Sequence, residues 1–313
     1  MATSALNPRT WPRTWIERLA FLKKALAENA KAVSQVLDGL LKTGDGPEAR
    51  VVEAMRYTTL GGGKRIRPFL VTASADLFNV DKPSALRAAA AIEMVHCYSL
   101  IHDDLPAMDD DDLRRGHPTC HIQFDEATAI LAGDALLTKA FEVVADEKTH
   151  ASSTVRADLV MALAKASGDA GMVGGQMLDL VAEDHALNMP EITRLQRMKT
   201  GALIAVSCEA GAILGRASEK AHHALHAYAH DIGLAFQIAD DLLDVEGDEA
   251  EVGKKTGKDA AAGKATFVSL LGVERAREQA QLLAEQAASH LDIFEKKGKL
   301  LKDLAYFVVS RTA

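Results

Sequence analysis

Tyr98-Ser-Leu-Ile-His-Asp103-Asp104-Leu-Pro-Ala-Met-Asp109-Asp-Asp-Asp112-Leu-Arg114-Arg115-Gly116 is the stretch on which the fold turns. Six carboxylates fall within ten residues of it, and two arginines follow at once. A generic aspartate run is a solvated face. This one is entered from an apolar, helix-like run and is interrupted by Pro106, and a second carboxylate set stands far downstream. There, in Gln237-Ile-Ala-Asp240-Asp241-Leu-Leu-Asp244, Asp240 and Asp244 lie one above the other on a helix face. Two such clusters facing each other would repel unless hard cations stood between them. Oxygen-only sites suit Mg²⁺, which keeps waters and shares its other positions with substrate phosphates.

Outward from this stretch, apolar positions recur at helical spacing. Residues 14–42 carry Ile16, Leu19, Leu26, Val33, Leu37 and Leu40 in that pattern, and Thr43-Gly-Asp-Gly-Pro47 turns into a helix that runs to about Leu60. Residues 68–79 and 83–105 read as two more helices; the second enters the acidic stretch, where Pro106 cannot extend it. Helical patterns return at 124–146, 152–167, from Pro190, at 201–214, 219–245, 266–288 and 300–311. Gly171-Met-Val-Gly-Gly-Gln-Met-Leu-Asp179 is glycine-rich for a helix and marks close packing or a break, and 247–263 reads as a polar loop. No window alternates as a strand between hairpin turns. The expectation is one all-α domain over residues 1–313, a single large bundle, with the first fourteen residues loosely ordered.

Composition agrees. The 48% hydrophobic content can fill a large core, and 5% aromatics with abundant Ala, Leu and Val favour helix–helix packing over a sheet. A net charge of −8 argues against nucleic acid as a partner but leaves an anionic substrate open, since metals and local cations can reverse the sign inside a cleft. Cys97, Cys120 and Cys208 show neither metal-ligand spacing nor an even framework, which points to free thiols in a reduced compartment. With no signal-peptide core and no run of about 20 apolar residues, the expected protein is cytoplasmic and not inserted in a membrane.

The cations come next. Gly61-Gly-Gly63-Lys64-Arg65-Ile66-Arg67-Pro68 sets three positive charges beside glycines that leave backbone amides open, and at a helix start such a loop can hold a diphosphate. Alone it reads equally well as a solvated turn, and the Walker spacing is absent. Arg114 and Arg115 offer forks that match phosphate oxygens. Lys199-Thr200 opens a small-residue helix, and Lys254 and Lys264 flank a loop after the second acidic set. His96 shares a helix face with Asp103 two turns away, a spacing that by itself leaves it a core or surface group. His222, His223, His226 and His230 read as surface.

Other chemistries fail on spacing. Twelve positions counted from Asp109, Asp111 or Asp244 end on Cys120, Ile122 and Lys255, never on the glutamate that a calcium loop requires. No H-E-x-x-H zinc pair and no G-x-S-x-G nucleophile elbow occurs. What remains is an all-helical cavity with two aspartate sets ringed by Lys and Arg. It suits a diphosphate that must leave while an apolar interior keeps water from a cation.

On these residues the chain resembles the short-chain trans-prenyl diphosphate (polyprenyl) synthases, the bacterial farnesyl diphosphate synthases in particular. The motifs that carry the likeness are Gly-Gly-Lys64-Arg-Ile-Arg67-Pro, the Tyr98–Gly116 stretch, Gly174-Gly-Gln176-Met-Leu-Asp179, Lys199-Thr200-Gly201, Phe236-Gln237 through Asp244, and Gly263-Lys264-Ala-Thr266. The resemblance implies the isoprenoid synthase fold, helices around a deep central cavity, as a homodimer. It implies three diphosphate-bridged Mg²⁺ ions on Asp103, Asp104 and Asp109 and on Asp240, Asp244 and, less directly, Asp241. Arg114, Lys199 and Lys264 would hold the allylic diphosphate, with Lys254 near its rim. Gly63, Lys64, Arg67, His96 and Arg115 would bind isopentenyl diphosphate, and Thr200 and Gln237 would line the reacting carbon. The implied reaction condenses isopentenyl diphosphate with dimethylallyl and geranyl diphosphate into farnesyl diphosphate. An allylic cation forms, the double bond attacks it, and a proton leaves to the departing pyrophosphate. Val268 stands where some members carry proline, a small departure.

Three other functions share parts of this pattern. A geranylgeranyl diphosphate synthase needs only a deeper pocket. A class I terpene cyclase has no use for Lys64, Arg67 and Arg115, and a non-catalytic subunit has no use for two intact acidic sets. Product length is expected to rest on Tyr98, about 7.5 Å below Asp103 along the helix, with Ser99 beside it too small to make a floor. An ideal helix sets residues 98 and 103 about 140° apart. The resemblance, not the spacing, therefore turns Tyr98 into the cavity.

Overall fold

The computed structural model describes residues 13–182, 187–246 and 266–310. At its centre is helix α4 (Lys82–Asp103), started by Asp81, whose carboxylate accepts the Ser84 amide at 3.0 Å. Ala88, Ala89, Ala90 and Ala91 are all buried, so this helix has no solvent face, and its small side chains let neighbours close on every side. Helices α3 (Ile66–Asp76) and α6 (Glu126–Ala145) pack on it, and α3 also packs on α10 (Ala202–Leu214). Asp125 caps α6 by accepting the Thr128 amide at 2.7 Å.

Around this centre stand α1 (Arg13–Leu40), α2 (Ala49–Leu60), α7 (Ser153–Ser167) and α11 (Glu219–Glu246). Shorter helices are α5 (Cys120–Gln123), α8 (Met172–Val181), α9 (Met189–Gln196) and α12 (Phe267–Leu271), followed by α13 (Val273–His290) and α14 (Lys299–Ser310). One apolar cluster joins α1, α4, α6 and α7 through Leu37, Met94, Leu136 and Leu163. A second joins α3, α10, α11 and α14 through Leu70, Cys208, Tyr228 and Leu304. A third joins α9, α11 and α12 through Ile192, Leu242 and Phe267. Each such side chain contributes about 1.5–3 kcal/mol by leaving water.

The all-α expectation holds, with local corrections. A two-residue hairpin, Leu113–Arg114 paired with His117–Pro118, follows the acidic stretch; strands this short carry no alternation to read. The helix expected over 266–288 is divided at Gly272, whose φ of +78° breaks it into α12 and α13. Where a helix start was expected at Lys199, a π-helical turn, Arg197–Gly201, joins α9 to α10. Of the first fourteen residues, Arg13 and Thr14 already belong to α1, and the rest lie outside the described residues, as do Lys254, Lys264 and the expected loop at 247–263. Among the described residues no helix is long and apolar enough to cross a membrane.

Candidate active site

Asp103 is the last residue of α4. Because Pro106 stops the helix, the chain reverses: the Asp109 amide donates to the Asp103 carbonyl at 2.8 Å, and the Asp110 amide to Leu105 at 3.2 Å. The reversal brings the Asp109 charge to bear on Asp103. Burial pushes the Asp103 carboxyl up to about 6, with Lys199 pulling the other way and Asp109 and Asp104 adding to the rise. Asp104 is buried and paired with Arg114, whose Nε donates to it at 2.7 Å.

The hairpin carries the two arginines. Arg115 (φ +55°) and Gly116 (φ +77°) form its tip, the positive pair that two-residue hairpins favour. From there the Arg115 guanidinium donates to the Gly62 carbonyl. It fills the space where a Cβ on Gly63 would stand, 2.8 Å away. The end of the acidic stretch and the glycine loop thus meet.

Beside them, Arg67 Nη1 lies 3.5 Å from His96 Nε2, and Arg67 Nε is buried with no hydrogen-bond partner. Burial, then Arg67, Arg115 and Arg114, hold the His96 pKa well below its ordinary value, so the ring is neutral near pH 7. Lys64 is exposed. Arg65 departs from the expectation of three outward cations. Its φ of +49° turns the guanidinium into the core, 2.5 Å from Glu93 and onto the Thr59 carbonyl. Breaking a pair buried like this costs about 3–5 kcal/mol, so Arg65 is structural.

Facing this wall, the π-turn presents Lys199 and Thr200. Lys199 Nζ pairs with Asp179 Oδ2 at 2.5 Å. A Cβ on Gly175 would sit 2.1 Å from the Lys199 amide nitrogen, so α8 lies directly against the turn. Thr200 Oγ1 donates to Gln237 Oε1 at 3.3 Å, and Gln237 Nε2 donates to Asp241 Oδ1 at 3.0 Å. Asp241 Oδ2 accepts the Phe267 amide at 2.9 Å. Asp241 and Asp244 are buried and Asp240 is exposed; the Asp240 charge acts on Arg67.

A cavity of about 590 Å³ is lined by Arg67, His96, Tyr98, Asp103, Lys199 and Thr200, with Met172 and Leu203 in its walls; Lys199 and Thr200 also line a second pocket that holds Asp109, Asp179, Gln237 and Asp241. Tyr98 is buried, which pushes its hydroxyl up to about 12. Ser99 lines the same cavity and donates to the His96 carbonyl at 2.9 Å. Two groups had no assigned role in the sequence reading although their motif was visible: Asp179, the partner of Lys199, and Gln176, whose Nε2 is buried without a partner at the cavity wall.

The donor set fits a hard cation. The donors of the two acidic sets are carboxylates, and Asp103 is held in a desolvated place, with Lys199 and Arg114 offsetting Asp109 and Asp104, where a cation would relieve the burial of its charge. Among the described residues no three ligating side chains converge to cage an ion by themselves.

The Polyprenyl synthetase family model matches residues 48–304. Farnesyl diphosphate synthase of Escherichia coli (strain K12) is 48% identical over 266 residues, covering 83% of this chain and 89% of that protein. Geranylgeranyl pyrophosphate synthase 11, chloroplastic, of Arabidopsis thaliana is 46% identical over 271 residues, covering 83% of this chain and 74% of that protein. The solved structure of an FPP/GFPP synthase from Zymomonas mobilis superposes with a TM-score of 0.86 at 51% identity, covering 93% of this chain and 99% of that one. The chain belongs to the polyprenyl synthetase family. It is a prenyltransferase with the isoprenoid synthase fold.

Proposed function

We propose that this chain, as one catalytic domain, is a farnesyl diphosphate synthase that condenses isopentenyl diphosphate with dimethylallyl and then geranyl diphosphate. The observation that carries the reading is one cavity that sets Asp103, Lys199 and Arg67 in the same lining as an apolar wall of Leu100, Met172 and Leu203 with Tyr98. Lys199 and Arg114 would hold the allylic diphosphate, with Lys254 and Lys264 as further candidates. Arg67, with its orphaned Nε, would hold isopentenyl diphosphate together with neutral His96, Arg115, Lys64 and the Gly63 backbone. Asp103, Asp104, Asp109, Asp240, Asp241 and Asp244 form the donor pool for Mg²⁺, three ions in this reading. Bound there, Mg²⁺ supplies charge neutralisation on the leaving diphosphate.

The chain's own groups do the rest. With its proton directed at Gln237, the Thr200 hydroxyl oxygen is left to face positive charge at the reacting carbon. Apolar walls exclude water from that cation. The departing diphosphate is the proton acceptor, since ionisation leaves that anion beside the reacting carbon. A homodimer belongs to the proposal: Leu131 on α6 is 53% exposed, apolar surface that a second copy would cover. A cytoplasmic location agrees with three buried free thiols.

The deciding experiment incubates the enzyme with dimethylallyl and isopentenyl diphosphates and Mg²⁺, then sizes the dephosphorylated products by chromatography. Farnesol as the main product is expected. Geranylgeraniol would give the deeper-pocket reading instead, and cyclised hydrocarbon or no turnover would overturn the assignment.

A further inference from the structure

We propose that His102, wedged between Gly133 and Tyr98, is a specificity-determining residue that sets how far the prenyl cavity extends. The inference rests on the reading of Tyr98 as the cavity floor. Three contacts support it. The His102 ring meets Tyr98 edge to face, with centroids 5.7 Å apart and planes at 80°. Its Nε2 lies 3.1 Å from the Ile130 carbonyl oxygen on α6. Its far edge occupies the place of the side chain that Gly133 lacks: a Cβ there would stand 2.2 Å from His102 Nε2 and 2.6 Å from Cδ2.

Gly133 is otherwise unexplained. It sits inside α6 with ordinary helical backbone, where glycine is less favourable than alanine. What its missing methyl admits is the His102 ring. Held by α6 on one side and by Tyr98 on another, the ring has the cavity as its open side, and it lines that cavity with Tyr98 and Ser99. His102 therefore props the floor in place and forms part of the wall beside it.

The contacts predict opposite changes from opposite ends of the wedge. His102→Ala frees Tyr98 and opens the wall, and should raise the share of products beyond fifteen carbons by roughly tenfold or more. Gly133→Ala pushes the ring toward the cavity and should shift the product toward geranyl diphosphate. The double variant should return toward the wild-type distribution, because the new methyl occupies the space the ring has left. All are compared by chromatography of dephosphorylated products at matched conversion, with thermal melting to establish that each is folded. A folded, active His102→Ala enzyme with wild-type products overturns the inference, as does a shift of both single variants in the same direction. If His102→Ala does not fold, the Gly133→Ala distribution decides: shorter products support the wedge, and unchanged products refute it. Tyr98→Ala in parallel separates the two readings. Longer products from it alone mean that only the wedge has failed, and unchanged products mean that the floor has failed as well.

Discussion

Asp103 and Asp109 are drawn together by a chain reversal after a proline, whereas Asp240 and Asp244 stand one turn apart on the straight helix α11. The two acidic sets are built differently, yet each commits at least one carboxylate to the protein itself. In the first set Asp104 holds Arg114 at the hairpin. In the second, Asp241 receives Gln237 and the Phe267 amide, which ties α11 to the start of α12. Neighbouring aspartates thus carry different duties, and only the hydrogen-bond partners tell them apart.

The comparison breaks most visibly in turnover. Asp103→Asn and Asp240→Asn should each lower kcat by roughly 10²–10³-fold while circular dichroism stays unchanged. Near wild-type turnover in either variant at low Mg²⁺ would reduce that set to a solvated run. Next comes the split between substrates. Arg67→Ala and His96→Ala should raise KM for isopentenyl diphosphate by about tenfold or more, and Lys199→Ala should act on the allylic substrate. Equal effects on both substrates would refute two separate diphosphate sites.

Stability should then separate the members of each set. Asp241→Asn leaves the Gln237 or Phe267 donor unmet and should cost about 1–3 kcal/mol in urea unfolding. The smallest effect has the opposite sign. Asp103 is raised to about 6, so the native state holds its proton more tightly than the unfolded chain does. Its contribution to stability therefore falls as pH rises from about 4 through 6, and the penalty is complete above that. In chelator-treated enzyme at pH 7.5, Asp103→Asn should be more stable than wild type by about 1–2 kcal/mol, an advantage that vanishes below about pH 4. No gain at pH 7.5 would mean that the carboxylate is better solvated than its surroundings suggest.

The helices and the acidic motifs could be read from the sequence because both are local. Leu26, Val33 and Leu37 repeat within a turn or two, and the carboxylates are adjacent in the chain. What could not be read depends on partners far away. Arg65 looks like its neighbours Lys64 and Arg67, and only Glu93 and the Thr59 carbonyl turn it inward. Asp179 and Lys199 are twenty residues apart, with nothing in either motif to announce their pairing. Gly272 reads as tolerable inside a helix, and its positive φ emerges only from the packing of α12 and α13.

The wide turn at Arg197–Gly201 has a consequence for register. A π-turn holds one residue more than an α-turn, so α9 and α10 are out of phase with each other by one position, about 100° of rotation. That offset lets Ile192 face α11 and α12 while Leu203 and Val206 face α4 and its neighbours. A one-residue deletion in this segment would put the two helices back in phase. It would carry Ile192 away from Leu242 and Phe267 in the same step that took Lys199 from Asp179.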